Sequence, residues 1–438
     1  MQTNDFSNLP NSWQIKTLGE ISRVITGKTP SKSHKEYFGG TIPFVKPSDL
    51  DKKTFIDTSE DTLTELGFKH APFIPKNSVL VSCIGNLGKK AILSVDGSCN
   101  QQLNAIIPNE NLDYKFLYYQ IDIIKFWMER NASATTVTIL NKSKFEKAPI
   151  ILPPLEIQKR IVARLESAFE KIEKGSAHLQ DAKTKLAKYK QSLLKSAFDG
   201  TLTAAASLRG VEKAETIHKV DCHDLTSSNL AMTDKENPKL PQGWTIKTLG
   251  EIGEIISGGT PSTKQADNFG GDIAWITPAD LSNHNDKFIS QGKRNISEKG
   301  LKNSSARLVP KGTILFSSRA PIGYVAIASN QLCTNQGFKN LIPNKNVSSE
   351  FVYYYLLNSK NLAESYASGT TFKEISAKSF SKLPIPLPPL EIQKQIVKLL
   401  EKHLQHADKT GKFIESALNK AKQLKQSLLK SAFLGKLT

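Results

Sequence analysis

The chain has 438 residues, 39% of them hydrophobic and 23% charged, with a formal net charge of +18. That length can bury two or three cores, and the apolar content is ordinary for a globular protein, which argues against disorder over most of the chain. No apolar run reaches the 18 or so residues of a membrane span, and the opening MQTNDFSNLP lacks a charged-then-apolar signal, so a cytoplasmic protein without membrane contact is expected. The charge points to a polyanion such as nucleic acid, because neutralised phosphates release counterions. More than half of it lies on residues 155–203 and 390–438, which leaves a solvated, Lys-rich helix surface as the plainer alternative.

From the first residues onward the chain is written twice. Leu9-Pro10, Trp13 and Ile15-Lys16-Thr17-Leu18-Gly19-Glu20-Ile21 return as Leu240-Pro241, Trp244 and Ile246-Lys247-Thr248-Leu249-Gly250-Glu251-Ile252. Gly27, Thr29-Pro30-Ser31 and Phe38-Gly39-Gly40 follow in the same register, and after one short insertion between Leu281 and Pro310 the register holds to the end. Asn100-Gln101 then matches Asn335-Gln336, and Thr135-Thr136 matches Thr370-Thr371. Solenoid repeats run about 20 to 50 residues, so a period this long means duplicated domains.

Within each copy the first part reads as a strand-rich head. Ser78-Val79-Leu80-Val81 and Thr313-Ile314-Leu315-Phe316 are apolar and β-branched after Pro-Lys turns, and strands are expected to end at Pro47 and Pro278. Short helices are predicted near Tyr114 to Met128 and Glu350 to Leu357, and Trp13 and Trp244 read as core residues.

Both heads stop at a double proline, Pro153-Pro154 and Pro388-Pro389, which suits a helix start, with Glu156 and Glu391 in the first turn. Leu165, Ile172, Leu179, Leu186 and Leu193 then recur every seven residues, with Ile161 and mostly small residues between them. Leu400, Leu404, Ile414 and Leu428 mark a less regular stripe in the second copy. Gly200 and Gly435 fit helix stops. A helix of about 43 residues spans roughly 65 Å and needs a partner, for which the other stripe is the obvious one. The reading is an α+β chain: head 1–152, helix 153–203, linker 204–239, head 240–387 and helix 388–438. The helices are expected to form an antiparallel coiled coil with pseudo-two-fold symmetry.

Two copies of W-x-I-K-T-L-G-E-I, G-x-T-P-S, F-G-G-x-I, N-Q and P-L-P-P-L-E-I-Q-K-x-I-V, each closed by a long helix, resemble the specificity subunit of type I restriction-modification enzymes. The resemblance implies two target-recognition domains, each reading one half of a bipartite double-stranded DNA site. It also implies two methyltransferase subunits bound along the helices and motor-nuclease subunits joining for cleavage. The chain itself would be non-catalytic and bind no cofactor, with S-adenosylmethionine, ATP and Mg on the partner subunits. The alternatives are a free-standing two-headed DNA-binding regulator and a self-contained DNA methyltransferase.

An enzyme would need machinery that the sequence does not offer. Gly27-Lys28-Thr29 resembles the end of a P-loop, but the second copy reads Gly258-Gly259-Thr260. Neither a dinucleotide fingerprint nor an Asn-Pro-Pro box is present. Cys83, Cys99, Cys222 and Cys333 have no CxxC spacing and read as reduced thiols, and His218, Cys222 and His223 lack a fourth zinc ligand.

Candidate DNA contacts are therefore polar residues on the head loops. Ser82 and Ser317 end matching strands, before Asn86 in one copy and Ser318-Arg319 in the other; Arg319 could read guanine and Asn86 adenine. Lys46 faces Thr277 across the repeat as a further difference. Asn100, Gln101, Thr135, Asn335, Gln336 and Thr370 recur unchanged, which argues for phosphate contact or scaffold bonding rather than base readout.

Overall fold

The computed structural model describes residues 9–50, 53–134, 137–202, 240–369 and 373–436. They form two compact units, Met1–Gln180 with Ile414–Thr438, and Asp181–Phe413. Each unit holds one head, the start of the long helix that leaves that head, and the end of the other long helix.

In the first unit a five-stranded sheet runs in the order Ser22–Thr26, Leu103–Pro108, Ser78–Ser82, Lys90–Leu93, Phe55–Ile56, antiparallel except for its last pair. Phe38–Val45 lies between Thr62–Leu63 and Ser98–Cys99 in a three-stranded sheet, and Gln14–Thr17 pairs with Pro149–Leu152. The helix Tyr114–Asn131 packs Phe116, Leu117, Ile121, Ile124 and Met128 into the core. The second unit repeats this order with Gly253–Ser257, Phe338–Pro343, Ile314–Ser317, Val325–Ala328 and Phe288–Ile289. Its three-stranded sheet is centred on Phe269–Ile276. Strands stop at Val45 and Ile276, each followed by a corner in which an aspartate, Asp49 or Asp280, accepts the backbone N–H of Lys46 or Thr277 at 2.8 Å.

The strings shared by the two copies have local physical reasons. In Thr-Leu-Gly-Glu the threonine and glutamate close a capping box, with Glu20 and Glu251 accepting the N–H of Thr17 and Thr248. In Pro-Pro-Leu-Glu-Ile-Gln the glutamine is buried and clamps the helix start to its head. Gln158 accepts the N–H of Asp113 at 2.8 Å and donates to the carbonyls of Asn111 and Pro153. Gln393 does the same with Ser348, Asn346 and Pro388.

The long helices run Leu155–Phe198 and Leu390–Phe433, and each ends in a head core. Phe433 is buried against Phe116 with ring centroids 4.9 Å apart, and Phe198 lies 5.3 Å from both Phe351 and Tyr355. Gly435 and Gly200 then turn the chain at φ of 75° and 82°, in the left-handed region that glycine tolerates. In each unit the two helices run antiparallel: Glu173 meets Lys425 at 2.6 Å in the first, and Lys190 pairs with Asp408 and Tyr189 with His403 in the second. Ile161 and Leu165 are core residues of the first head, and Leu193 and Leu400 of the second, so the ends of the predicted stripe serve the heads. Ile414 is buried, whereas Ile172, Leu179, Leu186, Leu404 and Leu428 are half-buried between the helices' exposed faces. The predicted linker lies outside the described residues.

A lysine ammonium sits inside the first head. The Lys90 ammonium bonds to Asp122 and to the Tyr118 carbonyl, both at 2.6 Å, 4.1 Å from the Tyr118 ring centroid. Burial pulls it from 10.5 down to about 8, against the opposing pull of Asp122. Between these two values the unfolded chain holds a proton that the folded head has released, so this lysine makes stability rise with pH across that window. Lys90→Met should remove that rise when thermal unfolding of variant and parent is compared from pH 8 to 10.5. Phe433→Ala should cost about 3–5 kcal/mol by opening a cavity beside Phe116, read as an earlier urea midpoint for the first unit.

Candidate nucleic-acid interface

Three loops and a hairpin meet at one side of the first head, and backbone bonds fix them. Gly27 donates to the Leu103 carbonyl and Lys28 to the Cys99 carbonyl, both at 3.0 Å. Cys83 donates to Gln102, Gly85 to Thr138 at 2.8 Å, and Leu140 to Cys83 at 2.9 Å. The second head repeats the frame: Gly259 donates to Thr334, Ser318 to Gly337 at 2.7 Å, and Ile375 to Ser318 at 3.1 Å. A methyl group on Gly27 or Gly258 would lie 2.0 Å from the carbonyl oxygen of Asn100 or Asn335, which is why G-x-T-P-S begins with glycine. The threonine of that motif then bonds to the recurring glutamine, Thr29 to Gln101 at 2.7 Å and Thr260 to Gln336.

On this frame the candidate residues separate. Ser82 and Ser317 are fully buried. The Ser82 hydroxyl donates to the Asn86 carbonyl and accepts the Lys89 N–H; Ser317 donates to the Pro321 carbonyl and accepts the Tyr324 N–H. They close the turn from inside, which corrects the expectation of base contact. Ser318 is also fully buried and is corrected likewise. Asn100 is buried, and its amide group bonds to Gln102 at 3.1 Å through both ends, a scaffold role. Asn335 is half-buried and accepts the Gly337 N–H at 2.9 Å. The Thr277 hydroxyl is committed to Asp280, and the Lys46 ammonium is paired with Asp61, so neither offers an unengaged group at that corner.

Asn86, Gln101 and Gln336 are exposed, and the Arg319 side chain is 41% exposed. Thr135 and Thr370 lie outside the described residues. Sequence reasoning did not single out Ile84, Ile139, Lys339 or Glu374, which the frame places beside these residues. The available signal was that they occupy matching positions and differ between the copies.

No group of three or more His, Cys, Asp or Glu side chains among the described residues is placed to hold a metal, and His218, Cys222 and His223 lie outside them. Cys83, Cys99 and Cys333 are buried free thiols, and burial pushes all three up to about 12. A thiol so raised is a poor nucleophile at neutral pH. Among the described residues no helix is long and apolar enough to cross a membrane.

This duplicated frame belongs to a defined family. Residues 10–179 and 241–419 match the type I restriction modification DNA specificity domain, and the chain is a member of that family. It is similar to the MjaIX specificity subunit of Methanocaldococcus jannaschii, 49% identical over 165 residues, which covers 37% of this chain and 38% of that protein. The HindI specificity subunit of Haemophilus influenzae is 35% identical over 168 residues, covering 37% of each chain. The EcoDI specificity subunit of Escherichia coli aligns with 98% of this chain and 90% of its own length at 23% identity. Two solved structures share the fold. A chain from a type I R-M system has a TM-score of 0.71 at 23% identity, covering 98% of this chain and 99% of its own. The HsdS subunit from Thermoanaerobacter tengcongensis has a TM-score of 0.60 at 21% identity, covering 98% of each.

The buried hydroxyls supply a test of scaffold against readout. Ser317→Ala leaves the Tyr324 N–H without its acceptor and should cost about 1–3 kcal/mol in chemical denaturation. Any DNA sequence preference of the folded variant should stay that of the parent chain.

Proposed function

We propose that this chain is the DNA sequence-specificity subunit of a type I restriction-modification complex. Each head reads one half of a bipartite site. The two long helices set the gap and carry two methyltransferase subunits, and motor-nuclease subunits join the assembly for cleavage. The chain works in the cytoplasm and is not itself an enzyme; S-adenosylmethionine, ATP and Mg act on the partner subunits.

The observation that carries this reading is a loop frame whose bracing bonds recur in two heads, with different side chains presented on it. A site with two different specified halves requires two readers of one architecture and unlike surface chemistry. Family membership and the positive charge of the chain agree with it.

The purified full-length chain should bind duplex DNA with an affinity that falls steeply as salt rises, and should transfer no methyl group from S-adenosylmethionine. Co-expressed with a type I methyltransferase subunit from the same genome, it should co-purify with that subunit and direct methylation to one bipartite sequence. Methyl transfer by the chain alone would sink the proposal, and specific DNA binding without co-purification would leave a free-standing regulator instead.

A further inference from the structure

Outside the regular sheets, two backbone bridges recur at matching positions of the two heads, and one of them lies two residues beyond the buried serine. It joins Ile84 to Ile139 in the first head and Arg319 to Glu374 in the second. The frame around it is shared, since Ser82 and Ser317 brace the turn below and the Thr–Gln bond stands beside it in both heads. The chemistry on it is opposite. Ile139 is 40% exposed, and with Ile84 it gives the bridge two aliphatic side chains. Arg319 and Glu374 are as exposed and form an ion pair at 3.7 Å. Glu374 is held from behind by Lys339, whose buried ammonium lies 3.6 Å away and also bonds to the Gln336 carbonyl. At the matching position the first head has Asn104, which accepts from Thr26 at 2.8 Å and carries no charge.

We infer that this bridge is a base-reading position in each head, with Arg319 reading a guanine and the Ile84–Ile139 pair facing a thymine methyl. The inference rests on the DNA-specificity reading above and adds the residues and the bases. Glu374, fixed by Lys339, engages one guanidinium nitrogen and orients the fork. The Arg319 side chain is 41% exposed, which leaves its remaining donors to meet the two acceptors, N7 and O6, that guanine offers in the major groove. An aliphatic pair, exposed at Ile139 and half-buried at Ile84, has no donor to offer a base, and the thymine methyl is the apolar feature of that groove.

The test is selection of sites from a randomised duplex library by the full-length chain with its co-purifying partners. Arg319→Gln should move the preference at one base pair of one half-site from G·C to A·T, by about tenfold or more, because glutamine pairs with adenine. The half-site of the first head should stay unchanged, which also reports that the variant is folded. A weaker but otherwise identical motif would mean phosphate contact, and an unchanged motif at full affinity would mean a surface ion pair; either result overturns the inference. Should Arg319→Gln abolish binding altogether, the exchange Ile84→Arg with Ile139→Glu decides. It should introduce a guanine requirement into the other half-site, and failure to do so counts against the proposal. If the unaltered chain selects no bipartite motif, the DNA-specificity reading itself falls.

Discussion

The Phe433 ring, seated against Phe116 inside a head whose own chain ended far earlier in the sequence, fixes how the first unit is built. Phe198 does the same for the second unit, between Phe351 and Tyr355. Burying one phenylalanine is worth about 1.5–3 kcal/mol, whereas an exposed ion pair such as Glu173 with Lys425 contributes about 0–1 kcal/mol. The aromatic plugs therefore set the register of the helices in each unit, and the charges along them follow. Gly200 and Gly435 belong to the same device. A methyl group at Gly200 would strike Pro241, and one at Gly435 would strike Pro10, so the chain must turn there without a side chain.

At their other ends the long helices are held by polar bonds instead. Gln158 and Gln393 each use both halves of a buried amide to join the first helical turn to the cap of a head helix, Asp113 for one and Ser348 for the other. A buried amide left without partners costs about 1–3 kcal/mol, so the entry geometry is fixed as firmly as the packed end. Both devices lie in the two strings that the copies share word for word. Their repetition is a consequence of packing, and it leaves the loops at the heads' surface as the part of the chain able to diverge.

Much of this architecture is legible in the amino-acid sequence. The double prolines marked helix starts, the Lys-Ser-Ala-Phe turns before Gly200 and Gly435 marked the ends, and the Ser78 and Thr313 runs lie on strands. The candidate site was legible only in part. Ser82 and Ser317 look like loop readers in a sequence because they are polar at strand ends; that they point inward depends on a turn whose N–H groups need an acceptor. Thr277 misleads in the same way, since its hydroxyl is consumed by Asp280 three residues on. The bonds of Thr29 to Gln101 and of Glu374 to Lys339 join distant segments and leave no local pattern. Arg319, Asn86, Gln101 and Gln336 could be named from sequence because exposure and chemistry coincide there.

The energetics explain why the bridge can differ between the heads while Ser82 and Ser317, and Gly27 and Gly258, do not. Replacing Ser317 strands a buried N–H, and replacing Gly27 or Gly258 forces backbone apart, each a cost that threatens a domain of ordinary stability. Exchanging the exposed Arg319 alone for isoleucine alters stability by about 1 kcal/mol or less, whereas Glu374 can give way only if the buried Lys339 behind it changes too, as it does to Asn104 in the first head. The same exchange replaces five nitrogen-bound donors by a methyl surface, a large change to anything that docks there. A position that is nearly neutral for folding and decisive for contact can change while the chain around it stays fixed. In the two heads that position already carries both answers, Ile84 with Ile139 in one and Arg319 with Glu374 in the other, on the same backbone bridge.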